Sequence, residues 1–498
     1  MIRTLLSLLP LLVVGLAQAQ DSPEKAPNNK LVPLFTTLDL NLGESRTVTL
    51  TNGNHVRLKL LKLKEDRDPI RSAVRAAHVT LELDGQKVEL VAAAYHRPVT
   101  VGGVQVDCSI TSGYNSNGTK ESWALDADAR IRVWPAGSPL LRPGTFGYPV
   151  KQRWFATHTQ MANVPTYVDG GETPSRKSIY YHSGLDIGGS EGLVDVVSAT
   201  DALVVSSGLE VLDAHAKETP VRTRYDVVYL LDARGWYYRY SHLKSIDDSI
   251  KPGRLIKQGD AIGVLGKEGA SGGWTHLHFE IKSRQPSERW GTQAGYAFLW
   301  DAYQRAYEPK IIAVARPHHL IWAGQQVTLD GLKSWSATGE ITKCEWQFGD
   351  GTQATGNTTR RRYDKPGSYS EVMKITDSAD NVAYDFAIVQ VIDREHPDRV
   401  PPTVHPTYSP TFGIKAGDEV TFKVRTFRTQ HGNEIWDFGD GSSKIKTHSD
   451  GNAEPRAPDG YAVATHRYEK PGDYIVRVER TNEHGMTGVG HLHVRVGR

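Results

Sequence analysis

The sequence predicts a mainly β, multidomain protein, and three observations carry that expectation. Its 498 residues exceed what one hydrophobic core organises, apolar and polar residues alternate with a period of two over many short runs, and one β-rich pattern occurs twice near the C-terminus. At roughly 100–200 residues per domain, three or four domains are expected. The 59 basic and 57 acidic residues nearly cancel, so no polyanion-seeking surface is expected and no nucleic-acid partner is predicted.

Taken in order, residues 1–19 read as a signal peptide: Arg3 at the front, an apolar run from Leu5 to Leu16, and the small-x-small site Ala17-Gln18-Ala19. The run falls short of the ~20 residues that span a bilayer, and no later segment comes closer. The mature chain is therefore expected to be exported, without a transmembrane segment, to the periplasm, cell envelope or extracellular space. Cys108 and Cys344 fall in segments assigned to different domains and are read as buried free thiols.

Residues 20–142 read as an N-terminal β-domain. LDLNLGESRTVTL, VRLKLLKLKED, HVTLELDGQKVELVAA and ARIRVWPAG all alternate, with LGE and DGQ as turns. The basic residues of VRLKLLKLK are read as a solvated strand face. Pro139 to Pro149 marks the end of the domain.

The chain closes on a tandem pair, 313–395 and 401–498, with linkers near Ala315 to Pro317 and at the proline-rich HPDRVPPTVHP (396–406). CEWQFGDGT (344–352) returns as IWDFGDGS 90 residues later, and RYDKPGSY (362–369) returns as RYEKPGDY 105 residues later. The second copy thus carries a 15-residue insertion, assigned to the polar THSDGNAEPRAPDG (447–460). Short β-rich runs such as EVMKITDSADN and IVRVERTNEHG suit an antiparallel, Ig-like β-sandwich. Both copies resemble PKD domains, whose Trp-x-Phe-Gly-Asp-Gly signature stands at Trp346 to Gly351 and at Trp436 to Gly441. Trp and Phe are expected to alternate into the sandwich, and the aspartates to serve the turn rather than a metal.

Chemistry concentrates in residues 143–312. His182 in YYHSGLDIGG lies four residues before Asp186, on the same face if the chain is extended there. In GGWTHLHFEI, His276, His278 and Glu280 share one strand face while Leu277, Phe279 and Ile281 share the other. Two imidazoles and a carboxylate suit Zn²⁺, whose catalytic sites keep about three protein ligands and a water. The unused histidine of the pair lies ~6–7 Å along the strand, within reach of that water. His242, in YRYSHLKSI, is a further candidate.

At this point the residues resemble lysostaphin/LytM-type zinc endopeptidases, which cleave bacterial cell-wall cross-links. The match is an ordered set: HSGLD (182–186), VVSATDALVVSSG (196–208), YSHL (240–243), IKPGRLIKQGDAIGVLG (250–266) and SGGWTHLHFEI (271–281). The resemblance implies His182, Asp186 and His278 as zinc ligands, His242 and His276 as catalytic histidines, and an antiparallel β-sheet carrying a groove. IKQGDAIGVLG and HLHFEIK are read as two sheet strands joined by a glycine-rich loop. The function implied is an exported zinc-dependent endopeptidase acting on peptidoglycan cross-links or another peptide substrate. The PKD-like modules would then serve attachment, their loss leaving hydrolysis of a short soluble peptide nearly unchanged. The alternative is a non-catalytic envelope-binding regulator or adhesin on a LytM-like scaffold. Which histidine is the general base, which bond is cut, and whether the N-terminal domain docks, positions or inhibits stay open. Glu280 is read as a surface glutamate, with orientation of a histidine as the alternative, and His491 and His493 as solvent-face residues of the last strand.

Overall fold

The computed structural model describes residues 31–92, 95–114, 122–159, 161–162, 165–167 and 179–497, so the signal-peptide reading lies outside the described residues. Strand makes up 49% of the structure and helix 4%, which bears out the mainly β reading.

The N-terminal unit packs two four-stranded antiparallel sheets face to face. One runs Thr36–Leu40, Ala129–Pro135, Val104–Thr111, Val99–Val101, and the other Ser45–Thr49, His55–Arg67, Val74–Leu83, Gln86–Ala92. Alternation buries Leu58, Leu60, Val79 and Leu81 completely while Arg57 stays in water, and a bulge between Leu60 and Lys62 shifts the phase so that Lys62 and Lys64 face water as well. The DGQ turn is a two-residue hairpin in which Asp84 (φ 46°) and Gly85 (φ 88°) both take the left-handed conformation. This core does not close on itself. Ile179, Tyr181 and Ala294 belong to the same cluster, and Val74 N–H donates to the Tyr181 hydroxyl at 2.9 Å. The strand that leads to His182 is thereby anchored in the N-terminal unit.

The middle unit is built on a nine-stranded sheet, wholly antiparallel, in the order Glu210–Val211, Ala202–Ser207, Val228–Asp232, Tyr237–Ser241, His276–Arg284, Leu185–Gly188, Met161–Ala162. Leu255–Ile256 pairs beside the second strand, and Trp290–Gln293 beside His276–Arg284. A smaller sheet joins Asp195–Val197, Ala261–Leu265 and Leu243–Ile246. IKQGDAIGVLG and HLHFEIK do supply two strands joined by a glycine-rich loop, Ala261–Leu265 and His276–Arg284, and that loop crosses from the smaller sheet to the larger. The helix α1 (Tyr296–Tyr307) was not anticipated. Its Tyr296, Phe298, Leu299, Trp300 and Tyr303 are all buried, and its polar stripe is confined to Asp301, Gln304 and Arg305 in the second half, too short to mark a helical period clearly. Glu308 ends it in the left-handed conformation, its N–H bonded to Gln304 O, with Pro309 following.

Both C-terminal copies are β-sandwiches. Trp346 (1% exposed) and Phe348 fill one core, Trp436 (0%) and Phe438 the other. Asp350 and Asp440 accept the N–H of Thr352 and Ser442 at 3.0 Å each, so the aspartates do serve the turns. The copies share one sheet. Beyond Gln347↔Val372, the strand Gly367–Asp377 loses its neighbour Ile341–Gln347, and Thr487–Val496 of the second copy takes the place at Ser368↔Gly488. Cys108 and Cys344 are both buried free thiols, as read.

Candidate metal and catalytic centre

Three adjacent strands place the centre. Asp186 lies directly across from His278, and His278 across from Ser241 on its other side. His182 is not in line with Asp186 on one extended strand. The chain leaves strand structure after Tyr181, turns through Gly184 (φ 91°) and re-enters it at Leu185, which folds His182 back over its i+4 neighbour. Glycine is required at that turn, because a Cβ at 184 would lie 2.6 Å from Phe279 O.

The outcome is a tight triangle. His182 Nε2 lies 3.0 Å from His278 Nδ1, His182 Nε2 lies 2.9 Å from Asp186 Oδ1, and His278 Nδ1 lies 2.9 Å from Asp186 Oδ1. These three residues form the metal-competent His/Asp group found among the described residues. One proton cannot satisfy three lone pairs that converge on one point; a divalent cation can, and two imidazoles with a carboxylate are a borderline donor set. The donor chemistry fits a metal ion. Burial alone pushes the Asp186 carboxyl up, but the neighbouring His182 and His276 and the bonds from His182 and His278 overcome it and hold the group well below the usual carboxylate range.

His276 and His242 flank the triangle, their rings 4.6 Å apart. His276 Nδ1 lies 3.0 Å from Trp274 O and His242 Nδ1 lies 2.7 Å from Glu268 O. A carbonyl oxygen only accepts, so each Nδ1 carries its proton and each Nε2 keeps a lone pair. His276 Nε2 is 3.4 Å from Asp186 Oδ2. His242 is held in the left-handed conformation (φ 68°), its backbone N–H donating to Asp226 Oδ2 at 2.9 Å, and Asp226 is itself bound by Arg224. Burial pushes both imidazoles below their ordinary range, well below it for His276, so both are neutral at neutral pH.

Two sequence readings are corrected here. Glu280 is not a surface residue: it is 4% exposed, accepts from Thr292 Oγ1 at 2.8 Å, pairs with Lys282 at 2.8 Å, and places Oε2 3.9 Å from His278 Nε2. The neighbouring strand Trp290–Gln293 covers it. His491 and His493 do not face solvent either. They are 6% and 5% exposed, bonded to Ser370 Oγ at 2.9 Å and Asp473 Oδ1 at 2.7 Å, because the outer face of the last strand packs against the first copy.

Sequence reasoning missed Asp226, Arg224 and Trp274. Trp274 stood in the quoted motif and lies flat on His276, ring centroids 3.7 Å apart and planes 19° from parallel. Asp226 carried no spacing signal, since strand pairing alone brings it to His242.

Residues 180–289, which hold all five side chains, match the family model for Peptidase family M23. The chain carries an M23 peptidase domain. Behind it, residues 308–391 and 404–490 each match a PKD domain model. Collagenase ColA of Clostridium perfringens is 28% identical over 86 residues, 17% of this chain and 8% of that protein, so the chain spans under a tenth of the length of this curated relative. Among solved structures, Helicobacter pylori Csd3 is 16% identical, covering 53% of this chain and 82% of its own, at a TM-score of 0.21. The fibronectin(III)-like modules of Clostridium thermocellum CbhA are 13% identical over 37% of this chain and 93% of their own, at a TM-score of 0.15. In the M23 domain, the ordered motifs and the buried triangle fall on the same residues.

Proposed function

We propose that the protein is an exported, zinc-dependent endopeptidase that hydrolyses peptidoglycan cross-links. The observation that carries this reading is the convergence of His182 Nε2, Asp186 Oδ1 and His278 Nδ1 beside two histidines whose Nδ1 protons are already committed to backbone carbonyls. These three atoms would hold Zn²⁺, which supplies Lewis acidity toward water and the scissile carbonyl.

The rest of the work falls to the chain. His276 and His242 each present a basic Nε2 to the attacking water, so either accepts its proton. A carboxylate lies near each imidazolium that results: Asp186 Oδ2 at 3.4 Å from His276 Nε2 itself, and Asp226 Oδ2 at 3.5 Å from His242 Nδ1, on the far side of that ring. The loaded histidine then returns the proton to the leaving amine, which restores its neutral form. Near-complete burial of His182, Asp186, His242 and His276, all 3–6% exposed, strengthens each of these interactions by excluding water.

The test is digestion of purified peptidoglycan, and of a pentaglycine peptide, with and without chelator, read by mass. Fragments that vanish with chelator and in His278→Ala support the hydrolase. A chain that binds walls, is indifferent to chelator and releases no fragment supports the envelope-binding alternative instead.

A further inference from the structure

The second PKD domain does more than follow the M23 domain in sequence; it grips the loop that delivers His276. Arg425, fully buried in the strand Glu419–Phe427, donates Nη1 to Gly273 O at 2.6 Å. The same guanidinium is fixed by Asp450 Oδ1 at 2.8 Å and by the carbonyls of Glu454 at 2.7 Å and Pro455 at 2.8 Å. Those three partners belong to the insertion 447–460 that the first copy lacks. From the same insertion, Asn452 Nδ2 donates to Gly272 O at 3.1 Å, and just beyond it the Tyr461 hydroxyl accepts the Thr275 N–H at 2.8 Å.

Three of the four residues from Gly272 to Thr275 are thus hydrogen-bonded by one foreign module. Gly272 and Gly273 take φ of 72° and 89°, and a Cβ at 273 would come within 1.9 Å of Asn452 Oδ1, so the Gly-Gly pair is fitted to this docking. What the grip positions is Trp274. Its indole lies on the face of His276, its edge meets His405 of the second PKD domain at 5.8 Å and 82°, and its carbonyl holds the His276 Nδ1 proton.

We propose that the second PKD domain is part of the catalytic apparatus: Arg425, Asn452 and Tyr461 are positioning residues that set the Trp274 loop and thereby the tautomer and orientation of His276. The proposal rests on the hydrolase reading for its kinetic consequence but not for its structural one. On this view the soluble-peptide activity expected to survive loss of the PKD modules does not survive it, because a misplacement of about 1 Å at a catalytic group is enough to cost orders of magnitude in rate.

The test uses the full mature chain, with Tyr461→Phe, Asn452→Ala and, as a control on the exposed side of the same module, Glu469→Ala. Two quantities are read: kcat and KM on a short soluble peptide, and hydrogen exchange of the 272–276 amides in the metal-free chain. Tyr461→Phe keeps the ring and removes one acceptor. It is expected to expose the Thr275 amide to exchange and to lower kcat about tenfold with KM, metal content and Tm unchanged, while Glu469→Ala matches wild type. Unchanged exchange, or faster exchange with unchanged kcat, overturns the proposal. Should the wild-type chain cleave no peptide, the hydrolase reading fails, and exchange alone decides: retained protection in both variants overturns the grip, lost protection supports it.

Discussion

The chain contains the tripeptide His-Leu-His twice, at 276–278 and 491–493, each time in a strand and each time buried but for the part-exposed His278. Only the first is a candidate metal centre. At 276–278 the histidines meet a carboxylate and a third imidazole that reach them from separate chain segments, and all donors aim at one point. At 491–493 they meet Ser370 on one side and Asp473 on the other, partners 121 and 20 residues away that do not converge. Spacing is the same in both places, and burial differs only in that His278 is part-exposed. What differs is whether neighbouring segments aim several lone pairs at one point, and that is decided by the fold.

The comparison sharpens first at the ligands. Asp186→Ala should abolish stoichiometric metal in elemental analysis and lower peptide hydrolysis by about 10³-fold or more, whereas His493→Ala should leave both unchanged. Next in size, His276→Ala and His242→Ala should keep the metal yet lower kcat by about 10²–10⁴-fold, the range of a lost proton-transfer group. Equal loss of metal in these two variants would break the division between ligands and bases.

The C-terminal pair should show itself in stability instead. Burial pushes His491 down to about 3 and His493 down to about 4. Unfolding restores a value of about 6.5, so the unfolded chain binds more protons between these limits. Stability at these sites is therefore full above about pH 6.5 and is lost as pH falls towards the folded values. His491→Gln should flatten the fall of Tm with acidification, read by calorimetry from pH 7 to about 4. The smallest effect is expected at Glu280→Gln, which keeps the packing and removes the charge near His278: roughly tenfold weaker metal affinity by competition titration, with the fold unchanged.

The strands were legible because one face of each sheet is core, so Leu58, Leu60 and Leu81 stand out at alternate positions. The site was legible because its motifs are short and contiguous. What stayed hidden depends on contacts between distant segments. Glu280 looked like a surface glutamate until the Trp290–Gln293 strand covered it, His491 looked solvent-facing until the first PKD domain lay against it, and Asp226 reaches His242 across strands. The helix α1 was hidden for the opposite reason: Tyr296 to Trp300 are buried aromatic and aliphatic residues, and only Asp301, Gln304 and Arg305 further on mark a helical repeat. The convergence of His182 and Asp186 was anticipated for the wrong reason, since a glycine turn rather than a straight strand brings them together.

The sheet shared by the two PKD copies bears on how the protein can be taken apart. The second copy's Thr487–Val496 flanks Gly367–Asp377 at Ser368↔Gly488 and pairs along its whole length with Gly472–Thr481, so a chain cut before Thr487 would leave both strands with unsatisfied backbone amides and carbonyls facing water. Such a fragment invites another copy of itself to complete the ladder. Shortened forms of this protein should therefore clump where the whole chain stays dispersed, and the two modules are better regarded as a single, indivisible tail.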